Sequence, residues 1–394
     1  MKINTDEKKI NELLTRGVEN VYPNPEFLEK LLKSGKQLKL YLGIDPTGPS
    51  LHIGHAISLM KLKQFQDLGH KVIMLIGSFT AMIGDPTDKL ATRQQLTRKQ
   101  VMNNCKNYKK QAASILDMKK TEIQYNSHWL DKLTFKEVVE LASKMTVQQM
   151  LERDMFERRI EDGKPIGLHE FLYPLMQGYD SVAMDVDGEI GGNDQTFNML
   201  AGRTLMKALK GKEKFVLTNK LLADTSGKKM GKTEGNMIAL DNSIDDKFGK
   251  VMSWTDDMIA GGFEMCTFEP MEIVKQVGER LQQGENPRNL KLELAEAIVK
   301  IYHGEKAAKA ARENFLNMFQ KKETPDQLDE FDLAGKNIVD ALLEGGLVQS
   351  KSEARRNIEQ GGVKINEKVE KNAAAVVRAG DIIQKGKRFF IKIK

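Results

Sequence analysis

Between residues 5 and 34, apolar positions Leu13, Leu14, Phe27, Leu31 and Leu32 recur at helix-like spacing and predict helix throughout. LKLYLGI (38–44) differs. It is an unbroken apolar run halted by Pro46 and Gly48, the pattern of a buried strand. Residues 54–68 then spread Ala56, Ile57, Leu59, Met60, Leu62, Phe65 and Leu68 over a broad stripe, with Gly69 as a natural C-terminal stop. VIMLIG (72–77) is a second continuous strand. Two buried strands joined by a helix make a βαβ unit, hence a parallel sheet with helices on its faces. Ile123–Tyr125, Val182–Val186 and Phe215–Thr218 are further strand candidates, again separated by helical patterns. The predicted fold class is α/β, a doubly wound parallel sheet over roughly 35–235. In such sheets ligands bind beyond the carboxyl ends of the strands.

After Asn236 the pattern is mostly helical to about residue 323. KKETPDQLDEFD (321–332) is polar, acidic and contains proline, and reads as a linker. The expected organisation is therefore 1–235 (with a helical segment 1–34), a helical domain 236–323, a linker 324–334 and a terminal module 335–394. Charge separates that last module from the rest. Residues 335–394 carry 13 Lys and Arg against 7 Asp and Glu, while the remainder carries 48 against 48. A basic appendage on a neutral body suits a polyanion such as nucleic acid, and the bland alternative is a solubilising tail.

Other features exclude classes. Cys105 and Cys266 are the only cysteines and form no C-x-x-C pair, which argues against a disulfide framework or structural zinc and fits a reducing cytosol. MKINTDEKKINELL has no apolar h-region, and no run approaches a membrane span, so a cytoplasmic protein without membrane attachment is expected.

Two segments carry candidate chemistry. The first strand runs into GIDPTGPSLHIGH (43–55), where Gly54 permits close backbone approach and His52 and His55 project from a helix start. Free N–H groups, the helix dipole and imidazole donors favour phosphate there. An H-x-x-H metal site ranks low because no Glu or Cys lies at ligand spacing. KLLADTSGKKMGKTEGN (220–236) sets Lys228, Lys229, Lys232 and Thr233 among glycines, a loop able to wrap a triphosphate. It is not a P-loop, because the first glycine of that motif would fall at Ser226.

Together these segments resemble the two signatures of class I aminoacyl-tRNA synthetases. His52-Ile53-Gly54-His55 reproduces the first, and Lys229-Met230-Gly231-Lys232-Thr233 resembles the second. HEFLYPLMQGYDSV (169–182), IGGNDQTFN (190–198), GDPTDKLATR (84–93) and MLERDMFERR (150–159) look like the tyrosyl-tRNA synthetases, bacterial kind. On a helix, Tyr173, Gln177 and Asp180 would share one face.

The resemblance implies a Rossmann-like catalytic domain, ATP with Mg2+ as cofactors, and L-tyrosine and its tRNA as partners. It also implies a homodimer with its interface around 115–165. Tyr41 and Asp180 would bond the substrate phenol. Asp85, Tyr173 and Gln177 would hold the ammonium group, Gln195 would lie near the carboxylate, and Asn126 would belong to the same tyrosine site. Gly43, Asp45, Gly54, Gly192, Asp194 and Met230 would line ATP or the adenylate. Thr47, His52, His55, Lys89, Arg93, Lys229, Lys232 and Thr233 would contact phosphates. Leu42 stands where some members carry a ribose-bonding cysteine, so the ribose contacts would differ.

In LLEGGLVQSKSEARRNIEQGGVKINEKVEKN (342–372) a helix is expected after Ser350 or Ser352, ending at Gly361-Gly362, followed by the strand VKIN. This resembles an S4-like RNA-binding domain, a small α+β module, and Lys351, Arg355 and Arg356 would be its exposed cations. Three other readings compete: a tryptophan-specific relative, a coenzyme-forming nucleotidyltransferase of similar fold, and a non-catalytic RNA-binding protein on the same scaffold. Tyr41 with Asp180 favours a phenol over an indole, the S4-like tail argues against the second, and the two retained signatures argue against the third.

Overall fold

The computed structural model describes residues 3–86, 95–223, 237–320, 328–386 and 389–394. The chain divides into two compact units, Met1–Arg312 and Glu313–Lys394.

The first unit is built on β1 (Val18–Tyr22), β2 (Lys39–Ile44), β3 (Lys71–Ile76), β4 (Thr121–Tyr125), β5 (Gly188–Gly192) and β6 (Phe215–Asn219). Their order is β1-β6-β5-β2-β3-β4. β2 to β6 run parallel to their neighbours, and β1 lies antiparallel on the β6 edge. From β2 the chain builds β3 and β4 on one side, then crosses to β5 and β6 on the other. The switch point is therefore between β2 and β5, where such sheets open a crevice at their carboxyl ends. Helix α1 (Ile53–Asp67) follows β2 and buries Ala56, Leu59, Leu62 and Phe65. Helices α2 (Leu172–Met184) and α3 (Thr196–Lys210) flank β5 in sequence.

Two expected elements differ. Residues 5–34 form two helices, Glu7–Thr15 and Pro25–Lys33, with β1 between them. Gly17, at φ 61°, ends the first helix, and Asn24 caps the second by accepting from Phe27 N at 2.9 Å. Apolar spacing across both helices hid the short, half-exposed strand. The Val182–Val186 run is not a strand. Its start is the last turn of α2, which ends where Asp185 adopts a left-handed φ of 48°. A short apolar run inside a buried helix has the same composition as a strand. The actual strand, Gly188–Gly192, has glycine at three of its five positions and gave little signal.

Beyond the sheet, helices Ile244–Met252, Met258–Cys266, Met271–Gln282 and Pro287–His303 pack through Leu290, Leu294 and Ile298, all fully buried. Helix Glu305–Gln320 follows. No helix among the described residues is long and apolar enough to cross a membrane.

In the second unit, β7 (Asp329–Phe331), β8 (Val363–Ile365), β9 (Lys368–Val369), β10 (Ile382–Lys385) and β11 (Phe389–Ile393) form a sheet of order β7-β11-β10-β8-β9. Part of the segment read as a linker is thus an edge strand, paired parallel with β11. Residues 321–327 of that segment lie outside the described residues. Helices Ile338–Glu344 and Lys351–Glu359 cover the sheet through Ile338, Leu342, Ile358, Ile383 and Ile391. Ser350 caps the second helix, accepting from Glu353 N at 3.2 Å, an arrangement worth about 1 kcal/mol.

Candidate active site

A cavity of about 450 Å³ opens at the carboxyl ends of β2 and β5. The described residues singled out by the sequence for amino acid and nucleotide line it: Tyr41, Gly43, Asp45 and Thr47 from β2 and its loop; His52, Gly54 and His55 from α1; Asp85 and Asn126; Tyr173, Gln177 and Asp180 from α2; and Gly192, Asp194 and Gln195 after β5. Lys89, Arg93, Lys229, Met230, Lys232 and Thr233 lie outside the described residues.

At the cavity rim α1 presents its N-terminus. His52 N–H donates to His55 Nδ1 at 3.1 Å, and the two rings lie 3.8 Å apart. Burial, with His52 close by, pushes the His55 pKa down to about 3. The ring is therefore neutral near pH 7. Because Nδ1 accepts, its hydrogen sits on Nε2, which makes Nε2 a donor. A Cβ on Gly54 would come 3.0 Å from His52 Cε1, so glycine leaves room for that ring.

The middle of the cavity is a chain of bonds around Asp45. Thr80 Oγ1 donates to Asp45 Oδ1 at 2.7 Å and Tyr173 Oη donates to Oδ2 at 2.9 Å. Burial pushes the Asp45 pKa up to about 7. A Cβ on Gly77 would fall 1.8 Å from Asp45 Oδ1, so this carboxylate needs glycine opposite it. Asp85 accepts from Arg153 Nη2 at 2.6 Å and from Gln195 Nε2 at 3.0 Å. Gln177 must turn its amide nitrogen to the Glu189 carboxylate, which it meets at 3.0 Å, and its Oε1 is thereby the acceptor that remains. Tyr173, having donated to Asp45, likewise offers its oxygen. Asp85, Tyr173 and Gln177 together form an acceptor-rich wall suited to an ammonium group.

The floor is drier. Tyr41 and Asp180 are 0% and 2% exposed. Asp180 accepts from Trp129 Nε1 at 2.7 Å and Asn126 Nδ2 at 3.2 Å, while burial holds its pKa well above the carboxylate range. Tyr41 Oη lies 3.0 Å from Ser181 Oγ, which accepts from Lys214 Nζ at 2.8 Å. Lys214 also pairs with Glu189, and both are buried. Leu42 is buried too.

Sequence reading missed Thr80, Trp129, Arg153, Ser181, Glu189 and Lys214. Only Glu189 and Lys214 left a trace, as charges set in or beside apolar strands. Among the described residues no group of three or more His, Cys, Asp or Glu is arranged to hold a metal ion.

Two family models match residues 33–392 between them. One, tRNA synthetases class I (W and Y), matches residues 33–320, and the other, the tyrosine–tRNA ligase SYY-like C-terminal domain, matches 320–392. The sheet, its switch-point cavity and the first match together define a class I tRNA synthetase. Curated relatives narrow the class. A tyrosine–tRNA ligase of Haemophilus influenzae is 44% identical over 393 residues, covering 99% of this chain and 98% of that one. Tyrosine–tRNA ligase 2 of Vibrio parahaemolyticus is 45% identical, covering 96% and 97%. Among solved structures, a C-terminally truncated mitochondrial tyrosyl-tRNA synthetase of Aspergillus nidulans has a TM-score of 0.67 at 26% identity, covering 80% of this chain and 95% of that one. The chain belongs to the tyrosyl-tRNA synthetase family of class I.

Proposed function

We propose that this chain activates L-tyrosine with ATP and transfers it to the 3′-terminal ribose of tRNA(Tyr), using the cavity as assigned below. The observation that carries the assignment is a single cavity with three distinct walls. A helix N-terminus with a neutral histidine faces the phosphates. The acceptor wall of Asp85, Tyr173 and Gln177 faces the ammonium group. Tyr41 and Asp180, buried at the floor, are left to face the phenol.

In the first step a tyrosine carboxylate oxygen attacks the α-phosphorus of ATP, and the bond to the β-phosphate oxygen breaks as pyrophosphate leaves. The carboxylate is already ionised at neutral pH, so this step needs no general base. Catalysis is positioning plus stabilisation of charge on the departing pyrophosphate. His55 Nε2–H, Thr47 and the α1 N-terminus serve that charge, and the sequence assigns Lys89, Arg93, Lys229, Lys232 and Thr233 to the same task. Asp45, Gly43, Gly192 and Asp194 face the ribose and adenylate. Magnesium enters as MgATP. In the second step the ribose hydroxyl attacks the tyrosyl carbonyl, AMP departs, and the hydroxyl proton passes to solvent.

Selection of tyrosine follows from burial. Phenylalanine would leave the Asp180 and Tyr41 polar atoms unpaired in a dry pocket, at about 1–3 kcal/mol each. The second unit supplies Lys351, Arg355 and Arg356, all exposed, for RNA phosphates. The working unit is a homodimer. Phe135, Val139, Val147 and Ile160 leave apolar surface exposed within the region expected to form its interface. Incubation with tRNA, ATP and isotopically labelled tyrosine tests the whole reading. Label esterified to the tRNA 3′ end supports it, and uncharged tRNA in the presence of active adenylate formation removes the transfer step.

A further inference from the structure

Of the buried ion pair, Glu189 lines the cavity and Lys214 lies behind it, and together they reach both ends of the tyrosine site. Lys214 and Glu189 are 0% and 1% exposed. Taking two such charges out of water costs several kcal/mol, and apolar residues of similar volume would hold the core at least as well. A purely structural role explains the pair poorly.

Donor and acceptor accounting gives it another. An ammonium group has only hydrogens to give, so Ser181 Oγ accepts from Lys214 Nζ at 2.8 Å. The other side-chain atom bonded to Ser181 Oγ is Tyr41 Oη, at 3.0 Å. With Lys214 on one lone pair, the Ser181 hydrogen turns to Tyr41 Oη. Tyr41 then accepts from Ser181 and is left as a donor, its hydrogen within reach of Glu189 below and of a ligand in the cavity above. Asp180, already fixed by Trp129 and Asn126, supplies the complementary acceptor. The other partner acts on the opposite end. Glu189 takes the Gln177 amide hydrogen at 3.0 Å, which leaves Gln177 Oε1 facing the ammonium side.

We propose that Lys214, acting through Ser181, is a positioning residue that makes Tyr41 a hydrogen-bond donor and so sets the preference for a phenol over a phenyl ring. This rests on the tyrosine-activation reading above. Lys214 Nζ also lies 5.8 Å from the Tyr41 ring centroid, so the ammonium holds the ring as well as the hydroxyl network.

The test is ATP–pyrophosphate exchange with tyrosine and phenylalanine, run on the full chain. Lys214→Met should raise KM for tyrosine and lower the tyrosine/phenylalanine ratio of kcat/KM roughly 10- to 100-fold, the size expected when one buried hydrogen bond is lost. KM for ATP and exchange with phenylalanine should stay where they are. Combining Lys214→Met with Glu189→Met removes both charges together, protects the fold, and should lower the ratio by the same factor, while the loss of the Glu189–Gln177 bond weakens both amino acids alike. Ser181→Ala breaks the relay while keeping the ion pair, and decides alone should both charge variants unfold. On a Tyr41→Phe background, Lys214→Met should lower the ratio no further.

An unchanged ratio in folded variants overturns the proposal. So does an equal loss for both amino acids, or full additivity with Tyr41→Phe. Absence of tyrosine-dependent exchange in the unaltered protein overturns the activation reading and this proposal with it, whereas normal exchange with insensitive variants overturns this proposal alone.

Discussion

The cavity floor and the helix Lys351–Glu359 handle charge in opposite ways. On the floor, Asp180, Glu189 and Lys214 are withdrawn from water, and each meets a partner at hydrogen-bond distance. On the helix, Lys351, Arg355 and Arg356 stand exposed, and Lys351 spends part of its charge on Asp340 at 2.7 Å. Buried groups discriminate, because a wrong ligand leaves them unpaired and salt does not reach them. Exposed cations attract any polyanion, and salt weakens them. One part of the molecule is suited to choosing a small substrate and the other to gathering a large one.

The largest break in this contrast should come from Asp180→Ala. It strands Trp129 Nε1 and Asn126 Nδ2 and, on the proposed assignment, the substrate hydroxyl, so kcat/KM for tyrosine in exchange should fall roughly 10³-fold, with little dependence on salt. A fall under tenfold would show that the floor is not the readout.

Asp45 offers a stability counterpart. Its folded pKa is raised to about 7, so the native state keeps a proton that the unfolded chain releases near pH 4. Stability from this group is full below the unfolded value and is lost as pH rises through the folded one. Asp45→Asn cannot lose it. The stability of the variant relative to the unaltered protein should therefore grow by about 2 kcal/mol from pH 5 to pH 7, the slope of about 1.4 kcal/mol per unit flattening as the folded group titrates. Urea unfolding at the two pH values measures this, and a constant difference would place an ionised Asp45 in the folded protein.

Lys232→Ala should slow adenylate formation roughly 100-fold while tyrosine binding changes little, as expected of a group that acts on transition-state charge. Equal losses in both would sink the assignment. The smallest effect belongs to the exposed side. Arg355→Glu/Arg356→Glu should leave exchange intact and reduce tRNA charging roughly tenfold, with a shallower salt dependence of the remaining binding. Normal charging would take these residues out of the RNA surface.

Legibility in the sequence follows the same division. β2, β3 and α1 were readable because long apolar runs and a wide stripe leave one folding solution, and the His52–His55 motif sits where β2 must end. The exposed cations of Lys351–Glu359 were readable from charge asymmetry. β1 was not, since five residues between two amphipathic helices carry no period of their own. Nor was β5, whose glycines serve close packing. The cavity was half legible. Tyr173, Gln177 and Asp180 fall on one helical face, but Ser181, Glu189 and Lys214 meet only after the sheet forms. Trp129 reaches Asp180 across 51 positions of sequence. Such contacts have no local pattern, and only the folded chain displays them.

The most direct test of the central claim is ATP–pyrophosphate exchange with tyrosine, tryptophan and phenylalanine in parallel. Exchange with tyrosine alone is the predicted result, because only a phenol satisfies both Tyr41 and Asp180. Exchange with tryptophan would contradict the assignment of the floor, and exchange with none of the three would contradict the account of the cavity as an amino-acid activation site.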